Sequence, residues 1–190
     1  ELGQHRKLWC AMSMLKRFFR DIAGVAAIEF AFIGPLLITM YFGVAELTQA
    51  MLAQRRAAHA ASTMGDLVAQ GTSIQAANFT DLWTVGSTII SPFSTATLKM
   101  RVTSVTADAT GKMTVAWSEG SSLTPYAKGT VLTNATVPSS VISANTSVIM
   151  SEVQYSYTSP VGYMLKSAVP LNSTYFLRPR LSDTVTCSDC

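Results

Sequence analysis

The chain has 190 residues, enough for one domain with appendages, but only 13% of them are charged and the mean hydropathy is positive. Those values are unusual for a wholly soluble domain and point to a part that lives in lipid. The net charge of +3 conceals an asymmetry: Arg6, Lys7, Lys16, Arg17 and Arg20 face only Glu1 within residues 1–20, while the remainder is slightly acidic. A nucleic-acid binder would cluster its Lys and Arg on the folded domain, so nucleic acid is excluded as a partner.

From Ile22 to Ala45 the single charged residue is Glu29. These 24 residues exceed the roughly 20 that cross a bilayer as a helix. Five basic residues precede the run, and the next ones after it are Arg55 and Arg56. The positive-inside rule then puts the N-terminus in the cytoplasm and everything from about 48 onward outside. Gly34, Pro35 and Gly43 interrupt the run, which membrane helices tolerate. The Ala-rich stretch "ELTQAMLAQRRAAHAASTMGDLVAQG" continues the helical pattern, and Gly71 is a good stop. One long helix from about 23 to 70 is expected, its first half in the membrane.

A secretory signal peptide would have an apolar core of 7–15 residues ending at a small-residue cleavage site, and this run is longer and unbroken. An uncleaved signal anchor leaves Glu29 unexplained, because a carboxylate in lipid is costly and is a functional candidate by default. Counting from Gly24 offers a reason. A cut after Gly24 would make Val25 the first residue and Glu29 the fifth. The new α-amino group would then supply the opposite charge that a buried carboxylate of a neighbouring subunit needs.

A basic leader, a Gly, four uncharged residues, a Glu, an aromatic and an apolar helix together resemble the processing site of type IV pilin-like proteins. "RDIAGVAAIEFAFIGPLLITMYFGVAEL" is more closely similar to the N-terminal signature of the TadE family, pseudopilin-like proteins of the Tad (tight adherence, Flp pilus) system. Gly24, Glu29, Phe30, Ala31, Pro35, Leu36, Leu37, Gly43 and Glu46 carry the resemblance. The stretch "YFLRPRLSDTVTC", 175–187, also resembles TadE-like chains. The resemblance implies cleavage between Gly24 and Val25 by a prepilin peptidase, and subunit assembly through Glu29 and Phe30. It implies a minor pilin-like subunit of Flp pilus biogenesis, whose partners are the inner membrane, other pilins or pseudopilins and the Tad machinery. The location implied is the bacterial inner membrane, single pass, with a periplasmic C-terminal domain. The alternative is an uncleaved, membrane-anchored exported binding module.

After Gly71 the composition turns to Ser, Thr and Val, the chemistry of sheets and loops. Asn78–Ile90 has apolar residues near helical spacing, with Asn78 as cap and Pro92 beyond its end. Residues 97–108 alternate Leu98, Met100, Val102 and then Val105, with Lys99 and Arg101 opposite. A turn at Gly111 leads into a second strand with Met113, Val115 and Trp117 on one face, completing a hairpin. Residues 146–159 give a third strand with Val153, Tyr155 and Tyr157 on one face. Residues 173–180 give a fourth, ended by Pro179. The expected class is α+β: a long N-terminal transmembrane helix continuing into a small pilin-like head with an antiparallel sheet of about four strands. Such a sheet needs a cover, and Met51, Ala58, Ala61, Met64 and Leu67 of the helix are the residues proposed for it. The expected divisions are a basic cytoplasmic leader 1–24, a transmembrane and extended helix 25–70, and an exported head 71–190.

Catalytic chemistry is not indicated. The head side of the chain has no G-x-S-x-G, P-loop or G-x-G-x-x-G, and its acidic residues are scattered. No enzyme, cofactor or metal is expected. His59 reads as a surface or helix-packing residue, and Arg178 and Arg180 as a solvated strand end. Cys187 and Cys190 lack the four ligands of structural zinc and the helix-opening position of a thioredoxin-like pair. A disulfide, or two free thiols, are the readings left open.

Overall fold

The computed structural model describes residues 23–190. The basic segment with its five Lys and Arg residues, on which the orientation depends, lies outside the described residues, as does Cys10. The chain divides at Ala45 and Glu46 into two compact units.

The described part of the first unit is the beginning of helix α1 (Ala23–Ala69), which continues without a break through Pro35. Proline has no N–H to offer the helix. Thr39 Oγ1 donates to the Pro35 carbonyl at 2.8 Å one turn later. Ile28, Phe32, Leu36, Ile38 and Tyr41 are all exposed, on every side of the helix. At 1.5 Å per residue, positions 23–45 rise about 34 Å, enough for a hydrocarbon layer of about 30 Å.

The second unit holds the rest of α1, strand β1 (Ser73–Ile74), helix α2 (Asn78–Ile90), and strands β2 (Lys99–Ala107), β3 (Met113–Ser121), β4 (Val131–Leu132), β5 (Ser147–Tyr157), β6 (Val169–Leu177) and β7 (Thr186–Cys187). The main sheet is antiparallel with order β4-β3-β2-β5-β6, and β1 pairs with β7 in parallel. The four expected strands are the four long ones. The short β4 makes the fifth.

Several expectations need correction. The last long strand starts at Val169, because its register with β5 runs from Val169 opposite Tyr157 to Leu177 opposite Ile149. Pro170 is accommodated because β6 is an edge strand. Pro179 therefore follows the strand, and the Arg180 N–H donates to the Ala69 carbonyl at the end of α1 (2.9 Å). Asn78 is not the cap of α2. Ala77 holds that position without a side-chain bond, while Asn78 Oδ1 accepts from the Gln75 N–H of the preceding turn (3.0 Å).

Strand β3 does not keep Met113, Val115 and Trp117 on one face. Ser104 pairs with Trp117 but Val105 pairs with Val115, which leaves Ala116 as an extra residue. Such a bulge reverses the alternation. Trp117 consequently packs with the helices, and its indole N–H donates to the Val185 carbonyl at 2.7 Å. Val115 and Met113 turn to the opposite core.

The helix-side core joins Ala53, Ala57, Ala60, Ala61, Met64 and Val68 of α1 to Val102, Ile149, Val153, Tyr155 and Leu171 of the sheet, with Phe79, Leu82 and Ile90 of α2. Of the five cover residues expected on α1, Ala61 and Met64 are buried. Ala58 is half-buried, and Met51 and Leu67 are exposed. Close approach is the reason: a Cβ on Gly65 would lie 2.5 Å from Leu177 Cδ1 and 3.1 Å from Ser151 Cβ. At the closest point the helix presents a glycine, and the buried stripe around it is mostly alanine, with Met64 and Val68. The stripe at 53, 57, 60, 61, 64 and 68 follows the 3.6-residue period.

The other sheet face is also covered. Segment 122–146 lays Tyr126, Leu132, Val137 and Ile142 over Val105, Met113, Val115, Val148 and Met150. Arg101, expected on a solvent face, is therefore only 9% exposed. Its guanidinium donates to both Glu152 oxygens (2.7 and 3.0 Å) and to the Thr124 carbonyl (2.7 Å), and stacks on Tyr126 at 3.8 Å. The β2–β3 turn has Gly111 at φ +79°, a conformation that favours glycine. There Asp108 Oδ1 accepts from Thr110 Oγ1, Thr110 N and Lys112 N at 2.7–2.9 Å. The Thr110 hydroxyl first, and then the Lys112 N–H, hold the Asp108 carboxyl below its ordinary value of 3.8.

Candidate functional site

Gly24, Val25, Glu29 and Phe30 lie within the first two turns of α1 and are all exposed. A Cβ on Gly24 would meet nothing within 4 Å, so packing does not explain the glycine. Val25 and Glu29 stand four residues apart, one helical turn, on the same face. Phe30 is 74% exposed. Among the described residues no hydrogen bond or ion pair engages Glu29. The first turns of α1 thus present an exposed ring and an exposed carboxylate that no hydrogen bond or ion pair engages among the described residues.

Glu46 contrasts with this. It is one of the residues that carry the resemblance to the TadE family. It is 3% exposed, and its carboxylate accepts three consecutive backbone N–H groups: Tyr163 (2.6 Å), Met164 (2.9 Å) and Leu165 (2.8 Å). Charge-assisted bonds of this kind are roughly twice as strong as neutral ones. The carboxylate fastens loop 160–166 to the helix. A signal was present in the sequence, since Glu46 is the first charge after an uncharged run from 30 to 45. Its partners were not visible there, because they are backbone groups 117–119 positions away.

Cys187 and Cys190 are joined as a disulfide with Cα atoms 5.6 Å apart. Asp189 in the same turn accepts from the Ala76 N–H at 3.1 Å, linking this turn to the approach of α2. The donor atoms of Cys187, Asp189 and Cys190 lie close together, but joined sulfurs offer no thiolate to a metal. Arg180 pairs with Asp66, and Arg178 and His59 are exposed. None of them meets Glu29 or Glu46 among the contacts of the described residues.

The family model described as TadE-like protein matches residues 24–64. No curated protein and no solved structure matches the chain. The matched segment begins at Gly24, contains Glu29 and Glu46, and runs into the alanine stripe that packs on the sheet. Over that segment the chain is similar to TadE-like proteins.

Proposed function

We propose that this protein is a minor pilin-like (pseudopilin) subunit of Tad/Flp pilus biogenesis that assembles through its N-terminal helix. The observation that carries the reading is Glu29: a carboxylate in an apolar helix, at a fixed offset from Gly24, with no hydrogen bond or ion pair among the described residues. The family match over this segment supports it. The helix is anchored in the bacterial inner membrane with residues 1–24 as a cytoplasmic leader, and the head, from about 71 onward, lies in the periplasm. Prepilin peptidase cuts between Gly24 and Val25. The Val25 amino group then lies opposite Glu29 of a neighbouring pilin or pseudopilin, and Phe30 packs beside it. Two unlike charges in a medium of low dielectric attract strongly when both are sequestered. The head contributes a folded body closed by the Cys187–Cys190 bridge and performs no catalysis.

Two measurements test the reading. The mature protein from its native host should have a mass that begins at Val25; a mass retaining Gly24 removes the amino group on which the pairing depends. Glu29→Gln should leave membrane insertion and head melting unchanged while abolishing recovery of pilin-like partners. Undiminished piliation in that variant would refute the assembly role.

A further inference from the structure

Loop 160–166 displays large apolar side chains where a soluble surface would not. Val161 is 58% exposed, Tyr163 52% and Met164 57%, and Lys166 beside them is exposed as well. These residues are not a slack excursion, since three consecutive N–H groups of the loop are fixed by the Glu46 carboxylate. Glu46 is also the residue at which the uncharged run of α1 ends. On α1, Ala50 packs against the edge of the head's core and Ala53 is its first buried residue, and Gln54 Nε2 donates to Ser173 Oγ of the sheet at 3.2 Å. Four residues of helix, about 6 Å, separate Glu46 from Ala50, and Leu165 of the loop itself packs against that core. The loop is thus held by its backbone at Glu46 and by Leu165 at the core, while Val161, Tyr163 and Met164 remain exposed.

We propose that loop 160–166 is a membrane foot: Val161, Tyr163 and Met164 enter the lipid headgroup and acyl boundary beside the point where α1 leaves the bilayer. The occupant is the lipid surface, for three reasons. The loop is bonded to the residue at which the apolar run stops. Its composition is that of an interfacial segment, with a Tyr whose ring and hydroxyl suit the boundary and a Lys that extends its ammonium to water. The helix on the same stretch carries no charge between Glu46 and Arg55, and Leu47 and Met51 on it are exposed too. Glu46 sets the height of the foot, and its charge is compensated by the N–H groups it accepts. The foot would fix the rotation and tilt of the head relative to the bilayer, so that the head is presented in one orientation to a growing assembly. This inference rests on α1 spanning the membrane as proposed above.

The test uses the full chain with Cys10→Ser, reconstituted into vesicles of phosphatidylethanolamine and phosphatidylglycerol. A nitroxide is attached at Met164→Cys, at Val161→Cys, or at Phe32→Cys within the apolar run. Collisions with oxygen, which partitions into lipid, are compared with those of a water-soluble nickel chelate. The foot predicts that labels at 164 and 161 are protected from nickel and sit at a shallow depth, about 5–10 Å into the boundary, with the label at 32 deeper. A nickel-accessible label at both 164 and 161 with a lipid-buried label at 32 overturns the foot while α1 still spans. A water-exposed label at 32 sinks the spanning reading and the foot with it. Strong spin–spin broadening between 164 labels that disappears when the protein is diluted in lipid would assign the patch to a second copy instead, and would also overturn the proposal.

Discussion

Helix α1 follows two different rules along its length. From Ala23 to Ala45 it is covered with large apolar side chains on every side, and they are exposed. From Glu46 to Ala69, apart from Glu46 itself, only a narrow stripe of Ala, Gly, Met64 and Val68 is buried, and the opposite side carries Arg55, His59 and Gln70. The carboxylates differ in the same way. Glu46 and, in the sheet, Glu152 are fully engaged by groups of their own chain, whereas among the described residues no hydrogen bond or ion pair engages Glu29. A side chain satisfied within the fold supports the fold. One that the fold leaves open is available to something outside it. The two parts of the helix should therefore give different phenotypes when changed.

The sharpest separation should come from the carboxylates. Arg101→Met leaves Glu152 without its bidentate partner under the covering segment, and removing one member of such a pair typically costs about 3–5 kcal/mol when buried. The pair is slightly open, with side chains 10% and 14% exposed, so a loss of about 3 kcal/mol is expected, measured by denaturant unfolding of the head. Glu29→Gln should leave the same unfolding curve unchanged. Equal effects from both would erase the distinction between the two regions.

Packing offers the next comparison. Ala60 is fully buried in the helix-side core, and Ala60→Leu overpacks it at a cost of about 1–3 kcal/mol. Leu36→Ala in the first part removes a side chain that touches no core, so head melting should move by less than about 0.5 kcal/mol. A large melting shift from Leu36→Ala would mean that the head depends on the apolar part after all. Glu46→Gln tests the boundary between the two: the amides of residues 163–165 should exchange with deuterium roughly tenfold faster as the loop opens locally, while the amides of β2 and β5 keep their protection. Unchanged exchange at 163–165 would show that the carboxylate is not what holds the loop.

The smallest effect concerns Asp108. Its pKa is depressed on folding, so its stabilising contribution is present above the unfolded value and disappears as pH falls through the folded one. Unfolding of the wild type should therefore become easier on acidification across that range, and Asp108→Asn should lack that component. Identical acid limbs for the two proteins would show that the turn network does not respond to protonation.

Much of the local structure was readable from pattern. The bounds of α1, the span of α2, and the β2–β3 hairpin with its turn at Gly111 follow from periodicity and turn chemistry, which act between near neighbours. The glycine–glutamate spacing of the candidate site was readable for the same reason, since it is a count along one helix. Residues whose role depends on distant partners were not. Trp117 changes faces because of one bulged residue, Ala116, that no alternation pattern announces. Arg101 looks like a solvent residue until segment 122–146, which has little periodic signal, folds over it.

By itself the sequence determined the apolar run, its lone carboxylate at a fixed distance from Gly24, and the order of helices and long strands. These are properties of residue type and spacing, set by burial and by backbone geometry over a few residues. Tertiary structure alone decided which side of α1 meets the sheet, how close it comes, and that Glu46 fastens a loop more than a hundred residues away. Those outcomes depend on the shape of the facing surface and on backbone donors that any residue type can supply, so composition and period carry no record of them.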